Sequence, residues 1–123
     1  MESILIVDDD VNLCKVLSEE LKEVGYKTSY IVKGDEVSEY LRGKEIDLIL
    51  LDLKMPDKDG LSVLQEINHQ PNAHPRVIVL TAYGDVESAI LSAKIGVSDF
   101  ISKPYEFDEL LSTIRKVLQE KNN

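Results

Sequence analysis

The residues best suited to chemistry are Asp8, Asp9, Asp52, Thr81 and Lys103, with Asp10 beside the first pair. Asp8 closes the apolar run "SILIV", Asp52 closes "LILL", Thr81 closes "VIVL", and Lys103-Pro104 follows "DFIS". Carboxylates gathered in one place repel: two unit charges ~4 Å apart cost about 4 kcal/mol at an effective dielectric near 20. A set such as Asp8, Asp9 and Asp52 therefore takes up protons or holds a cation. Oxygen-only donors beside loop carbonyls and water suit hard Mg²⁺, which keeps several waters and takes one or two carboxylates. Zinc is disfavoured, because Cys14 is the only cysteine and belongs to a helix, while His69 and His74 fall in a loop expected at the far end of the sheet. Asp10 reads as a helix N-cap.

Convergence of these residues depends on the elements that carry them. Runs rich in Ile, Val and Leu occur at 3–8, 46–52 and 76–81, with weaker runs at 26–32 and 97–102. Continuous apolar strands indicate a sheet covered on both faces, hence a parallel one. Between them, Leu13, Leu17, Leu21 and Val24 recur at helical spacing before Gly25, and Asp35 to Leu41 carries Val37, Tyr40 and Leu41. Leu61, Leu64 and Ile67 mark a third helix; Val86, Ile90 and Ala93 mark a fourth between Asp85 and Gly96. A fifth, roughly Glu106 to Glu120, has a broad stripe of Leu110, Leu111, Ile114, Val117 and Leu118. Alternating strands and helices with right-handed crossovers give a doubly wound α/β fold, in which ligands bind at the C-terminal strand ends. Asp8 to Asp10, Asp52, Thr81 and Lys103 all fall at that edge.

The chain has 123 residues, enough for one domain, with 43% hydrophobic and 30% charged residues. Its net charge of −9 argues against direct binding of nucleic acid or an anionic membrane. No apolar run reaches the ~20 residues of a membrane span, and the start lacks a basic signal-peptide region. A lone cysteine fits a reducing cytoplasm.

These residues resemble the receiver domain of two-component response regulators over essentially all of 1–123. "ILIVDDD" is similar to the first strand with its acidic pair, and "DLILLDLKMPDKDG" to the phosphoacceptor strand and loop. "VIVLTA" supplies a switch hydroxyl, and "DFISKP" an aromatic, a lysine and a proline. The resemblance implies a five-stranded sheet in the flavodoxin-like order 2-1-3-4-5 with five helices. It implies that Asp52 accepts a phosphoryl group from the phosphohistidine of a sensor histidine kinase or phosphotransfer protein. Asp9, Asp52 and the backbone carbonyl of Lys54 would hold Mg²⁺ directly, and Asp8 would act mainly through metal-bound water. Lys103 would pair with a phosphoryl oxygen, its reach set by a cis peptide before Pro104. The Lys54 side chain and Tyr83 would tune the lifetime of the phosphoryl group. Thr81 and Phe100 would switch the surface of helix four, strand five and helix five, through which many relatives dimerise. The domain would be a signalling unit that assists its own phosphorylation and dephosphorylation, not an enzyme. "TAYGDVESAI" and "FISKPYEFDELL" look most like receivers attached to transcription regulators that activate the sigma-54 polymerase. No effector segment follows, so the expectation is a stand-alone receiver or the N-terminal piece of a longer protein.

Rival readings rest on parts of the same residues. "ILIVDDDVN" imitates a haloacid-dehalogenase phosphatase, with Asp8 as nucleophile and Asp10 as acid, but that family needs a further acidic pair and Asp99 stands alone. "MPDKDGLSVLQE" imitates a calcium loop, with Asp57, Asp59, Gly60 and Glu66 in register, yet Met55 holds the first ligand position. Asp57 and Asp59 read instead as a solvated loop and a helix cap. A degenerate receiver would only bind partners.

Overall fold

The computed structural model describes residues 1–70, 75–82, 91 and 93–120, with Thr81 described in its backbone alone. The strands are β1 (Ser3–Val7), β2 (Lys27–Ile31), β3 (Leu48–Asp52), β4 (Arg76–Ala82) and β5 (Asp99–Lys103). They form one parallel sheet in the order β2-β1-β3-β4-β5, the doubly wound arrangement expected. Register sets the site: Val7 lies opposite Leu51, Asp52 opposite Leu80, and Ala82 opposite Lys103.

The helices are α1 (Val11–Glu23), α2 (Val37–Leu41), α3 (Gly60–Asn68), α4, of which Leu91 and residues 93–95 are described, and α5 (Phe107–Gln119). The second helix is shorter than the expected 35–41, because Gly34–Glu36 form a 3₁₀ turn. Neither Lys33 nor Glu36 offers a capping side chain at these starts. The expected start of the fourth helix, Asp85, Val86 and Ile90, lies outside the described residues. Ala93 is exposed, and the inward contact at this end of α4 comes from Ile95. Gly25 and Gly96, at φ +105° and +106°, turn the chain out of α1 and α4.

Alternation along each strand divides the core. Leu5, Val7, Ile49, Leu51, Val77 and Val79 face Val37, Leu41, Val63, Leu64 and Ile67 of α2 and α3. Ile4, Ile6, Leu48, Leu50, Ile78 and Leu80 face Cys14, Leu17 and Leu21 of α1 and Leu110, Ile114 and Val117 of α5. Each such side chain contributes about 1.5–3 kcal/mol on burial. The Arg76 guanidinium donates to the carbonyls of Val117 and Glu120, tying the start of β4 to the end of α5.

Candidate functional site

At the C-terminal edge of the sheet, Asp8 is 0% exposed and Asp52 6%, whereas Asp9 is open to solvent. One carboxylate oxygen from each lies within 4.8 Å of the others. Asp8 Oδ1 accepts from the Asp10 N–H at 2.9 Å, and its Oδ2 accepts from Lys103 Nζ at 2.7 Å. Asp52 Oδ1 accepts from the Lys54 N–H at 3.0 Å, and its Oδ2 lies 3.4 Å from the same Lys103 Nζ. Asp10 turns away and accepts from the Leu13 N–H at 3.1 Å, capping α1.

Charge follows from these contacts. Burial pushes the Asp52 carboxyl above its usual range, with Asp8 adding to the push; the Lys54 N–H and Lys103 pull it back only in part. Burial alone would lower the Lys103 ammonium, but the hydrogen bond and charge of Asp8, with Asp52, hold it above its ordinary value. Lys103 is therefore a cation, facing three carboxylates. The remaining negative charge, the all-oxygen donors and the open side at Asp9 fit a divalent hard cation such as Mg²⁺. Asp9 and Asp52, with the Lys54 carbonyl, are the groups that would hold it, while both oxygens of Asp8 are already engaged by Asp10 N–H and Lys103.

The loop from β3 to α3 is tightly fastened. Gly60 N–H donates to the Leu53 carbonyl at 3.1 Å, and Lys54 and Asp59 form an antiparallel bridge. A Cβ at Gly60 would overlap the Leu53 backbone, 2.5 Å from its carbonyl oxygen, so only glycine fits. Asp59 caps α3 through the Leu61 N–H at 3.2 Å. Asp57 is not simply solvated, as expected from sequence: its two oxygens accept from the Gly34 and Asp35 N–H groups, each at 3.2 Å. Desolvation pushes its carboxyl up, but the hydrogen bonds from Asp35, Gly34 and the local backbone together outweigh it and hold the carboxyl below the usual range. Lys58 pairs with Glu66. The residues that imitate a calcium loop are thus occupied elsewhere. The phosphatase reading is equally poor, since both oxygens of buried Asp8 are engaged and Asp10 caps a helix.

Around the centre, Cys14 Sγ donates to the Asp8 carbonyl at 3.4 Å. Burial and the Asp8 charge push its thiol up to about 12. The Lys103–Pro104 peptide is cis. Phe100 is 45% exposed, one strand over from Val79. Thr81 pairs through its backbone with Ser102, while its side chain and Tyr83 lie outside the described residues. His69 is exposed at the C-terminus of α3, its ring nitrogen 2.6 Å from the Gln65 carbonyl; His74 lies outside the described residues. Sequence reasoning missed an apolar groove between α1 and the β5–α5 turn, lined by Leu13, Val16, Leu17, Pro104 and Tyr105 and bordered by Lys103. Val16, 61% exposed on α1, was its one visible signal.

Comparison with known proteins gives concordant matches. The family model described as "Response regulator receiver domain" matches residues 4–115. The transcriptional regulatory protein ZraR of Escherichia coli K12 is 38% identical over 115 residues, which is 94% of this chain and 26% of that protein. The chain thus spans about a quarter of the curated relatives it matches. Among solved structures, the non-phosphorylated HemR receiver domain of Leptospira biflexa has a TM-score of 0.90 at 26% identity, covering 100% of this chain and 98% of that one. The signal receiver domain of a Luxo repressor protein from Vibrio parahaemolyticus gives 0.86 at 30% identity, covering 96% and 90%.

Proposed function

Because the chain belongs to the response regulator receiver domain family, we propose that Asp52 is its phosphoacceptor and that the site works with Mg²⁺. The observation that carries this reading is the shared Lys103 ammonium, 2.7 Å from Asp8 and 3.4 Å from Asp52 within a cluster of three acids. Asp9, Asp52 and the Lys54 carbonyl would hold the cation, with Asp8 acting mainly through metal-bound water. The chemistry a bound Mg²⁺ would supply there is neutralisation of phosphoryl-oxygen charge. One Asp52 oxygen forms a bond to phosphorus while the P–N bond of a phosphohistidine breaks, its electron pair leaving on the imidazole nitrogen. Lys103 pairs with a phosphoryl oxygen as the charge arrives. The groove beside Lys103 supports approach of a histidine kinase or phosphotransfer protein from the α1 side.

The new phosphoryl group brings nearly two negative charges and three acceptor oxygens. The Thr81 hydroxyl donates to one of them, and Phe100 rotates inward, repacking the face of α4, β5 and α5. Its 45% exposure supports this, since the resting ring has burial still to gain. Lys54 and Tyr83 would tune the lifetime of the acyl phosphate. The domain catalyses only its own modification. We further propose that residues 1–123 form one receiver unit controlling transcription, in the subgroup that serves sigma-54 polymerase, and dimerising through the same face. Similarity to transcriptional regulatory proteins supports this output. A cytoplasmic setting is consistent with the single buried Cys14, and no described helix is long and apolar enough to cross a membrane.

The test is intact mass after incubation with acetyl phosphate and Mg²⁺. One alkali-labile phosphoryl group is expected, lost in Asp52→Asn and in the presence of EDTA. An Asp52→Asn protein still modified at one aspartyl site would refute the assignment.

A further inference from the structure

The acidic site depends on a loop held by a residue outside it. After Asp52 the chain makes the Lys54 N–H to Asp52 hydrogen bond, passes Met55, which is buried, and returns at Gly60 to the Leu53 carbonyl. Between those fixed points the tip is tied to α3 and to itself by the Lys58–Glu66 pair and the Lys54–Asp59 bridge, and Asp57 ties it to a separate element. Its carboxylate reaches across to the start of the 3₁₀ turn before α2 and accepts from Gly34 N–H and Asp35 N–H, both at 3.2 Å. These are orphan donors at a helical start that no local side chain caps. Gly34 is itself wedged against the loop. An ideal Cβ there would lie 3.1 Å from Met55 Cε and 3.2 Å from Lys58 Cβ, tighter than ordinary contact.

We propose that Asp57 is a positioning residue for the phosphoacceptor site: by capping the β2–α2 turn from the β3–α3 loop, it fixes where Lys54 presents its backbone to Asp52 and the cation. The inference rests on the reading of Asp8, Asp9 and Asp52 as a Mg²⁺ site. Charge alone cannot account for the arrangement, because the acceptor must match two diverging N–H groups on a separate element. The Gly34 side of the joint is independent of charge altogether.

The experiment is Mg²⁺ titration by isothermal calorimetry, with thermal melts to establish that every variant is folded at the titration temperature. Acetyl-phosphate labelling is followed in parallel. Asp57→Ala should weaken Mg²⁺ binding about three- to tenfold, below the 10–100-fold typical of residues that hydrogen-bond a ligand directly. Asp57→Asn loses the same charge but keeps an acceptor oxygen, and should bind Mg²⁺ more tightly than the alanine variant. Gly34→Ala, which changes no charge, should weaken Mg²⁺ binding in the same direction. Equal losses in Asp57→Ala and Asp57→Asn would assign the effect to charge and overturn the proposal. So would a melting point that falls while Mg²⁺ affinity stays at the wild-type value. Absence of Mg²⁺ binding by the wild type would instead remove the reading of the site on which the proposal stands.

Discussion

Replacing Asp52 with asparagine should make the metal-free protein more stable while removing the proposed phosphoacceptor. The carboxylate shares its cluster with Asp8 and Asp9, with oxygens within 4.8 Å of one another. At an effective dielectric near 20, each repulsion at that distance costs about 3.5 kcal/mol, so two cost about 7. Lys103 Nζ, 3.4 Å away, returns about 5 kcal/mol. A deficit of about 2 kcal/mol remains, and burial of the charge adds to it. The raised Asp52 carboxyl points the same way, the folded site favouring the neutral group. The sign follows for pH. A carboxyl whose folded pKa lies above its unfolded value of about 3.9 contributes stability below that value and loses it as pH rises through the folded pKa. The difference between Asp52→Asn and wild type should therefore be small in acid and grow to about 2 kcal/mol at neutral pH in EDTA. Saturating Mg²⁺ should reverse the order. Ligand at 100 times its dissociation constant adds about 2.7 kcal/mol to the wild type, and less to a variant short of one anionic donor. Urea denaturation followed by circular dichroism, across pH with EDTA or Mg²⁺, reads all of this. A variant no more stable than wild type in EDTA, or an equal Mg²⁺ gain in both, would refute the reasoning.

Lys103→Met should destabilise the metal-free protein by about 3–5 kcal/mol, because Asp8, 0% exposed, loses its cationic partner. Mg²⁺ should recover part of that loss, as denaturation in its presence and absence would record. Cys14, 0% exposed with a thiol near 12, should resist iodoacetamide in mildly alkaline buffer and react fully in denaturant, read by intact mass.

What was legible in the sequence follows from the range of the forces involved. Strands β1, β3 and β4 showed themselves because both faces are covered, leaving uninterrupted Ile, Val and Leu. The strand-end rule then carried Asp8, Asp9, Asp52 and Lys103 to one edge without any knowledge of contacts. Asp10 and Asp59 were readable as caps because each bonds an amide two or three residues ahead. Asp57 was not, because its amide partners lie 22 and 23 residues away on another element. The short second helix was overestimated for a related reason. Its start is capped from outside, so nothing within "KGDEVSEYL" marks where regular α-helix begins. The groove beside α1 escaped because Val16 looks like any exposed apolar residue until Pro104 and Tyr105 are folded against the same helix.

Charge counting at the site indicates what phosphorylation would change. Asp8, Asp9 and Asp52 carry three negative charges and Lys103 one positive, leaving two that a single divalent cation would balance. Esterifying Asp52 removes its carboxylate charge, and the phosphoryl group adds nearly two. The modified, metal-loaded site would then hold close to one negative charge more than its fixed cations offset. Lys103, already counted in that balance and bonded to Asp8 at 2.7 Å, adds no further positive charge when it turns a donor to the phosphoryl group. Additional hydrogen-bond donors would therefore be drawn in. Thr81 lies near the end of the next strand over, and Phe100 is exposed on the far side of β4; these are the groups proposed above to move. On the proposed reading, a site balanced before phosphorylation would meet the added charge by recruiting a neighbour, and that recruitment would drive the switch.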